Sequence, residues 1–134
     1  LIYASRIQEA ILPAVDDIRQ HLPSFFVLYQ PRDLVSGDFF WYSHRGGVLL
    51  LAAVDCTGHG VPGAFMSVMG NSLLNQLVNE KGMTEPADIL ASLNEAVQRN
   101  LHQMEEESTS LDGMEIGLVA LEPQFGSMLF AGAS

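Results

Sequence analysis

At 134 residues, the chain sets sixteen Asp and Glu against six Lys and Arg, and a net charge of −10 leaves no basic footprint for the phosphate backbone of nucleic acid. A hydrophobic share of 48% is that of a globular domain, whereas the longest apolar run, Val48 to Val54, is far short of the ~20 residues that span a bilayer. Cys56 is the single cysteine, which excludes an intramolecular disulfide, and no signal-peptide pattern is present, so a reducing, cytoplasmic setting is expected.

In chain order, Leu1 to Leu12 reads as a helix with Ala4, Ile7 and Ile11 on one stripe and Arg6 and Glu9 off it, ended by Pro13. Residues 1–13 are expected to form a leader or linker helix to a domain occupying 14–134. Phe25 to Tyr29 reads as a short apolar strand. Phe39 to Ser43 and Val48 to Val54 read as a hairpin around Arg45-Gly46-Gly47, with Phe39, Phe40 and Trp41 in the core or on a sheet face. Pro62 to about Val78 repeats Phe65, Val68, Met69, Leu73 and Leu77 at helical spacing, and Gly70 allows close packing. Thr84 is placed to cap a second helix running to about Gln103, with Ile89, Leu90, Leu93, Val97 and Leu101 inward. Met114 to Leu121 and Ser127 to Ala131 alternate as strands about a Pro123-Gln124-Phe125-Gly126 turn. This order implies an α+β fold with helices segregated on one face of a mainly antiparallel sheet.

Chemistry concentrates in Val35-Ser36-Gly37-Asp38-Phe39-Phe40 and Ala52-Ala53-Val54-Asp55-Cys56-Thr57-Gly58-His59-Gly60. Each aspartate ends an apolar, strand-like run beside glycine, which is how a rigid sheet presents a hard-cation ligand at its rim. Two ions roughly 3.5–4 Å apart can share one carboxylate, and either aspartate could bridge. Gly37, Gly58 and Gly60 let the backbone turn tightly or approach an ion, so a carbonyl can be a ligand too. Pro62 in Val61-Pro62-Gly63-Ala64 starts a helix beside this loop, and its N-terminal dipole favours phosphate. Taken singly, each aspartate is better read as a turn cap. His21, His44 and His102 show no H-x-x-x-H spacing and read as surface residues, and Glu105-Glu106-Glu107 as a solvated loop. A Cys56–His59 thiol pair fits the glycine-rich context less well than a metal loop does. Gly58-His59-Gly60 lacks the lysine of a phosphate-binding P-loop.

Taken together, Pro31-Arg32-Asp33-Leu34-Val35-Ser36-Gly37-Asp38-Phe39-Phe40 and Ala53 through Met66 resemble the SpoIIE-like branch of the metal-dependent protein phosphatases (PPM). The resemblance extends to Ile7-Gln8-Glu9-Ala10-Ile11-Leu12-Pro13 upstream and Asp112-Gly113-Met114-Glu115-Ile116-Gly117-Leu118 downstream. It implies that Asp55 bridges two Mn²⁺ or Mg²⁺ ions, that Asp38 serves one of them, and that Cys56 contributes its carbonyl. His59 is a candidate proton donor to the leaving group, although a turn-forming or supporting histidine is the stronger reading. The family's fold is a layered α-β-β-α sandwich, of which this chain would be the N-terminal portion, holding one helix pair and part of both sheets. Two further aspartates of the family's site lie in C-terminal motifs, so these 134 residues are expected to bind metal weakly and turn over little by themselves.

The activity implied is that of a protein serine/threonine phosphatase in bacterial signal transduction. The implied substrate is the phosphoserine or phosphothreonine of an anti-anti-sigma-type partner in a partner-switching pathway, under an upstream sensor domain. Neither nucleic acid nor membrane contact by this segment is expected, a homodimer is open, and the Pro62 to Gln103 helix pair is the expected regulatory element. The rival reading is a noncatalytic signalling or partner-binding module.

Overall fold

The computed structural model describes residues 2–31, 34–56, 60–104 and 113–134. Gly46 and Gly47 have φ of +55° and +82°. That positive-φ pair is what a two-residue hairpin turn needs for its twist to match the strands it joins. The turn connects β1 (Asp38–Arg45) to β2 (Val48–Cys56) in antiparallel register, Arg45 opposite Val48 and Trp41 opposite Ala52. β3 (Met114–Glu122) pairs with β2, and β4 (Ser127–Ala133) with β3, through a turn in which Gly126 has φ +64°. All described strands belong to one antiparallel sheet in the order β1-β2-β3-β4.

Alternation divides the sheet into two unlike faces. Phe39 and Trp41 of β1, Leu50, Ala52, Val54 and Cys56 of β2, and Ile116, Leu118 and Ala120 of β3 are buried on one face. Against it pack α3 (Gly60–Asn75), a π-helical turn (Gln76–Glu80) and α4 (Pro86–Met104), which contribute Met66, Leu74, Val78, Ile89 and Leu93 to the core. Each such side chain, fully removed from water, is worth about 1.5–3 kcal/mol. Gly70 is where α3 comes closest. A Cβ there would lie 3.1 Å from the Phe39 ring and 3.3 Å from Met114. Polar links fix the far end of the same contact. The Trp41 indole donates to Asn75 Oδ1 at 2.9 Å, and Ser43 Oγ donates to Asn79 Oδ1 at 2.6 Å.

The α+β class, the hairpin, the helix pair and the β3–β4 pairing follow the sequence expectation, and four details differ. Phe25 to Tyr29 is not a strand. It borders a groove over the face opposite α3 and α4, with Phe26 89% and Leu28 75% exposed, and the sheet's ladder does not include it. A short apolar run gives a segment strand-like composition without supplying an edge to pair with. In α1 (Ile2–Ile11), the buried residue is Gln8, while Ile7 of the expected stripe is 44% exposed. Gln8 goes inward because backbone partners are waiting for its amide. α4 begins at Pro86, with Ile89 N–H donating to the Glu85 carbonyl at 3.0 Å, so the residue at the cap is Glu85 and not Thr84. Proline at the first helical position loses no hydrogen bond.

The fourth difference is α2 (Val15–Arg19), a single turn that no periodicity announced. It buries Ile18 and sets Asp16 and Asp17 at its N-terminus and Arg19 at its C-terminus, as the helix dipole favours. Just beyond it, the exposed His21 ring stacks on exposed His44 of β1 with centroids 3.8 Å apart, consistent with surface histidines. Among the described residues no helix is long and apolar enough to cross a membrane. Glu105-Glu106-Glu107 and Asp112 lie outside the described residues.

Candidate functional site

The hairpin register sets Asp38, the first residue of β1, directly opposite Asp55, the penultimate residue of β2. Directly opposed residues of an antiparallel pair have Cβ atoms about 4.5–5.5 Å apart, close enough for their carboxylates to interact. The ladder continues past them, since Cys56 N–H donates to the Gly37 carbonyl at 3.1 Å, so both aspartates stand on fixed backbone. Their face is the one turned away from α3 and α4. Burial pushes the Asp38 carboxyl above its ordinary range, and a hydrogen bond with Asp55 and the Asp55 charge push it further. Two like charges held together in this way make a site that a cation relieves.

The donors are hard oxygens on a rigid rim, which suits Mg²⁺ or Mn²⁺ and not a soft metal. Glu115 of β3 stands opposite Asp55, which puts three carboxylates in one row across β1, β2 and β3. Among the described residues, however, no group of three or more metal-ligating side chains comes together closely enough to hold an ion, so Asp38 and Asp55 form a pair and not a cage. Cys56 is buried on the opposite face, and burial, with smaller pushes from the Asp55 and Asp38 charges, takes its thiol up to about 12. A thiol so high is protonated at neutral pH and is no nucleophile.

Around Asp38 the structure adds residues that sequence reasoning missed. Asp38 N–H donates to Ser36 Oγ at 2.9 Å, and Tyr29 donates its hydroxyl to the Asp38 carbonyl at 2.9 Å. Burial raises the Tyr29 phenol, a hydrogen bond with Ser36 opposes this, and the charges of Asp38 and Glu9 add to the rise. Gln8 of α1 donates through Nε2 to the Ser36 carbonyl and, at 2.8 Å, to Ser67 Oγ of α3, while its Oε1 accepts the Ser36 N–H at 2.7 Å. Ser67 Oγ in turn donates to the Ala64 carbonyl at 2.7 Å. The Gln8–Ser36 and Gln8–Ser67 pairs are 28 and 59 residues apart, so no local pattern signals them.

Of the remaining site residues read from sequence, Gly37 is buried at the entry to β1 and Gly60 is the first residue of α3, which starts four positions after Cys56. Gly58 and His59 lie outside the described residues. The carboxylates open onto a groove of about 960 Å³, walled by residues of the Phe25 to Pro31 segment and by Phe40, Leu51 and Ala53 of the sheet. Its wall is largely apolar.

Comparison with known proteins gives the family of the chain. Residues 45–133 match the family described as Stage II sporulation protein E (SpoIIE). Among solved structures, the chain is similar to the SiaA-PP2C domain of Pseudomonas aeruginosa, with 36% identity and a TM-score of 0.77 over 98% of this chain and 51% of that one. The chain thus spans about half the length of that solved relative. No significant match was found among curated proteins. With the family matched over most of its length and the fold shared with a PP2C domain at that identity, the chain belongs to the SpoIIE family of PP2C-type phosphatase domains.

Proposed function

We propose that Asp38 and Asp55 hold divalent metal, Mn²⁺ or Mg²⁺, in a protein serine/threonine phosphatase that acts in signalling. The observation that supports this most is the cross-strand register of Asp38 and Asp55, together with the raised carboxyl of Asp38. When bound, a pair of such ions supplies a water acidified to near neutrality and a positive clamp on the phosphoryl oxygens. Asp38 and Asp55 would hold the ions, Asp55 serving both and Asp38 one of them, and the Cys56 carbonyl would add an oxygen. The two strands keep the carboxylates in place so that little ordering is left for the moment of binding. The groove beside Phe40 and Leu51 would receive the chain that carries the phosphoserine or phosphothreonine. An anti-anti-sigma-type phosphoprotein is the proposed partner, and His59 the proposed proton donor to the leaving alkoxide.

The test is hydrolysis of a phosphoserine peptide by the protein and its variants. Asp55→Asn is expected to lose about 10²-fold or more in kcat/KM, since it weakens the hold on the ions that offset transition-state charge. Cys56→Ala, which leaves the backbone carbonyl in place, is expected to retain most of it. Equal losses in the two variants would remove the carboxylate from its assigned role.

A further inference from the structure

We infer that Gln8 is a positioning residue for the cation site: through Ser36 it fixes the backbone that carries Asp38, and so sets the affinity of the Asp38–Asp55 pair for a divalent ion. This rests on the metal reading given above. Gln8 is only 4% exposed on a helix whose apolar Ile7 is 44% exposed, so the helix turns its amide inward in preference to a hydrocarbon. Burying an amide is unfavourable unless its hydrogen bonds are made, and here they are made to the N–H and the C=O of one residue, Ser36.

Nε2 donates to the Ser36 carbonyl while Oε1 accepts the Ser36 N–H at 2.7 Å. A side-chain amide used in this way replaces a neighbouring strand, at a point just before β1 where the ladder has not yet begun. Ser36 then passes the constraint on, because its Oγ accepts the Asp38 N–H at 2.9 Å. The Gly37 carbonyl is taken by Cys56 N–H, and the Asp38 carbonyl by Tyr29. Polar groups on each residue from Ser36 to Asp38 are thereby tied down, and Gln8 is the outermost link. Its other contact, to Ser67 Oγ, ties the same clamp to α3, the helix that starts just after Asp55 and Cys56 in the chain. Groups that orient a metal ligand from behind typically change metal affinity about 10- to 100-fold when removed.

The experiment combines Mn²⁺ titration by electron paramagnetic resonance with amide hydrogen exchange of the metal-free protein, on Gln8→Met, Ser36→Ala and Leu93→Ala. Gln8→Met keeps the side chain's bulk and removes both its amide groups. Ser36→Ala removes only the oxygen that holds the Asp38 N–H, so it stands in should Gln8→Met fold poorly. Leu93→Ala is a core truncation on α4, away from the clamp, and serves as the control for lost stability. Gln8→Met and Ser36→Ala are expected to weaken Mn²⁺ binding about tenfold or more and to speed exchange at Asp38, whereas Leu93→Ala lowers the melting temperature with affinity near wild type. Wild-type affinity in the first two variants, or a loss no greater than in Leu93→Ala, would overturn the inference. Should Asp55→Asn bind Mn²⁺ as the wild type does, the metal reading itself is wrong. The exchange rate at Asp38 in Gln8→Met against Leu93→Ala then decides whether the clamp exists.

Discussion

Asp38 and Asp55 illustrate how the proposed binding site opposes folding. Opposed like charges on neighbouring strands are destabilising, by about 0.2–1 kcal/mol for an exposed pair. The fold accepts this because the register is imposed elsewhere, by the Gly46–Gly47 turn and the apolar partners Phe39–Val54 and Trp41–Ala52. Since folding raises the Asp38 pKa above its ordinary 3.8, the contribution of Asp38 to the stability of the metal-free protein is fully present below that value and is lost as pH rises through the raised one. Asp38→Asn is therefore expected to stabilise the metal-free protein at pH 7, by about 0.5 kcal/mol, and to gain nothing near pH 3. Urea unfolding in chelator at several pH values checks this, and a loss of stability at pH 7 would contradict it. The two aspartates were legible because each ends an apolar run beside a glycine or a glycine-rich loop. Gln8, Ser36 and Tyr29 were not, since a buried glutamine in a helix has the same local signature as an exposed one until its distant partners are known.

The helices and strands are joined by a contact whose geometry sequence could suggest but not measure. Gly70 read as a close-packing position, and the 3.1 Å approach of a Cβ there to the Phe39 ring shows how little room remains. Gly70→Ala gains up to about 1 kcal/mol in helix propensity and meets about 1–3 kcal/mol of overpacking. A net loss of about 1 kcal/mol is expected in thermal or denaturant unfolding, with a larger loss for Gly70→Val; a more stable Gly70→Ala would show that Phe39 and Met114 move aside freely. The same reasoning explains which elements could be read. β1 and β2 announce themselves by apolar runs on either side of a Gly-Gly turn, and α4 by a clean 3.6-residue stripe. Phe25 to Tyr29 is an equally apolar run, yet pairing needs an edge, and an edge is a property of the whole sheet. Thr84 offered a good cap side chain, but Pro86 fixed the helix start two residues later.

Across the molecule, the sheet separates a packed face from a chemical one. α3 and α4 cover the first, with Leu118 and Leu50 wholly buried, while the second carries the carboxylate row, the groove, and exposed Phe26, Leu28 and Phe130. Leu118→Ala is expected to lose about 2–5 kcal/mol of folding free energy and Phe26→Ser less than about 0.5 kcal/mol. Comparable losses in denaturant unfolding would mean that the open face is packed as tightly as the covered one. This division places the carboxylate pair where the sheet is rigid and the surroundings are accessible. The most direct test of the site is to add Mn²⁺ in small increments and follow the amide resonances, because a paramagnetic ion broadens its nearest neighbours first. Broadening that begins at Gly37, Asp38, Asp55 and Cys56 and is abolished by Asp55→Asn is the expected result. Broadening that begins elsewhere, at Asp16 and Asp17 of α2 for example, and is indifferent to Asp55→Asn would contradict the assignment of Asp38 and Asp55 as the metal pair.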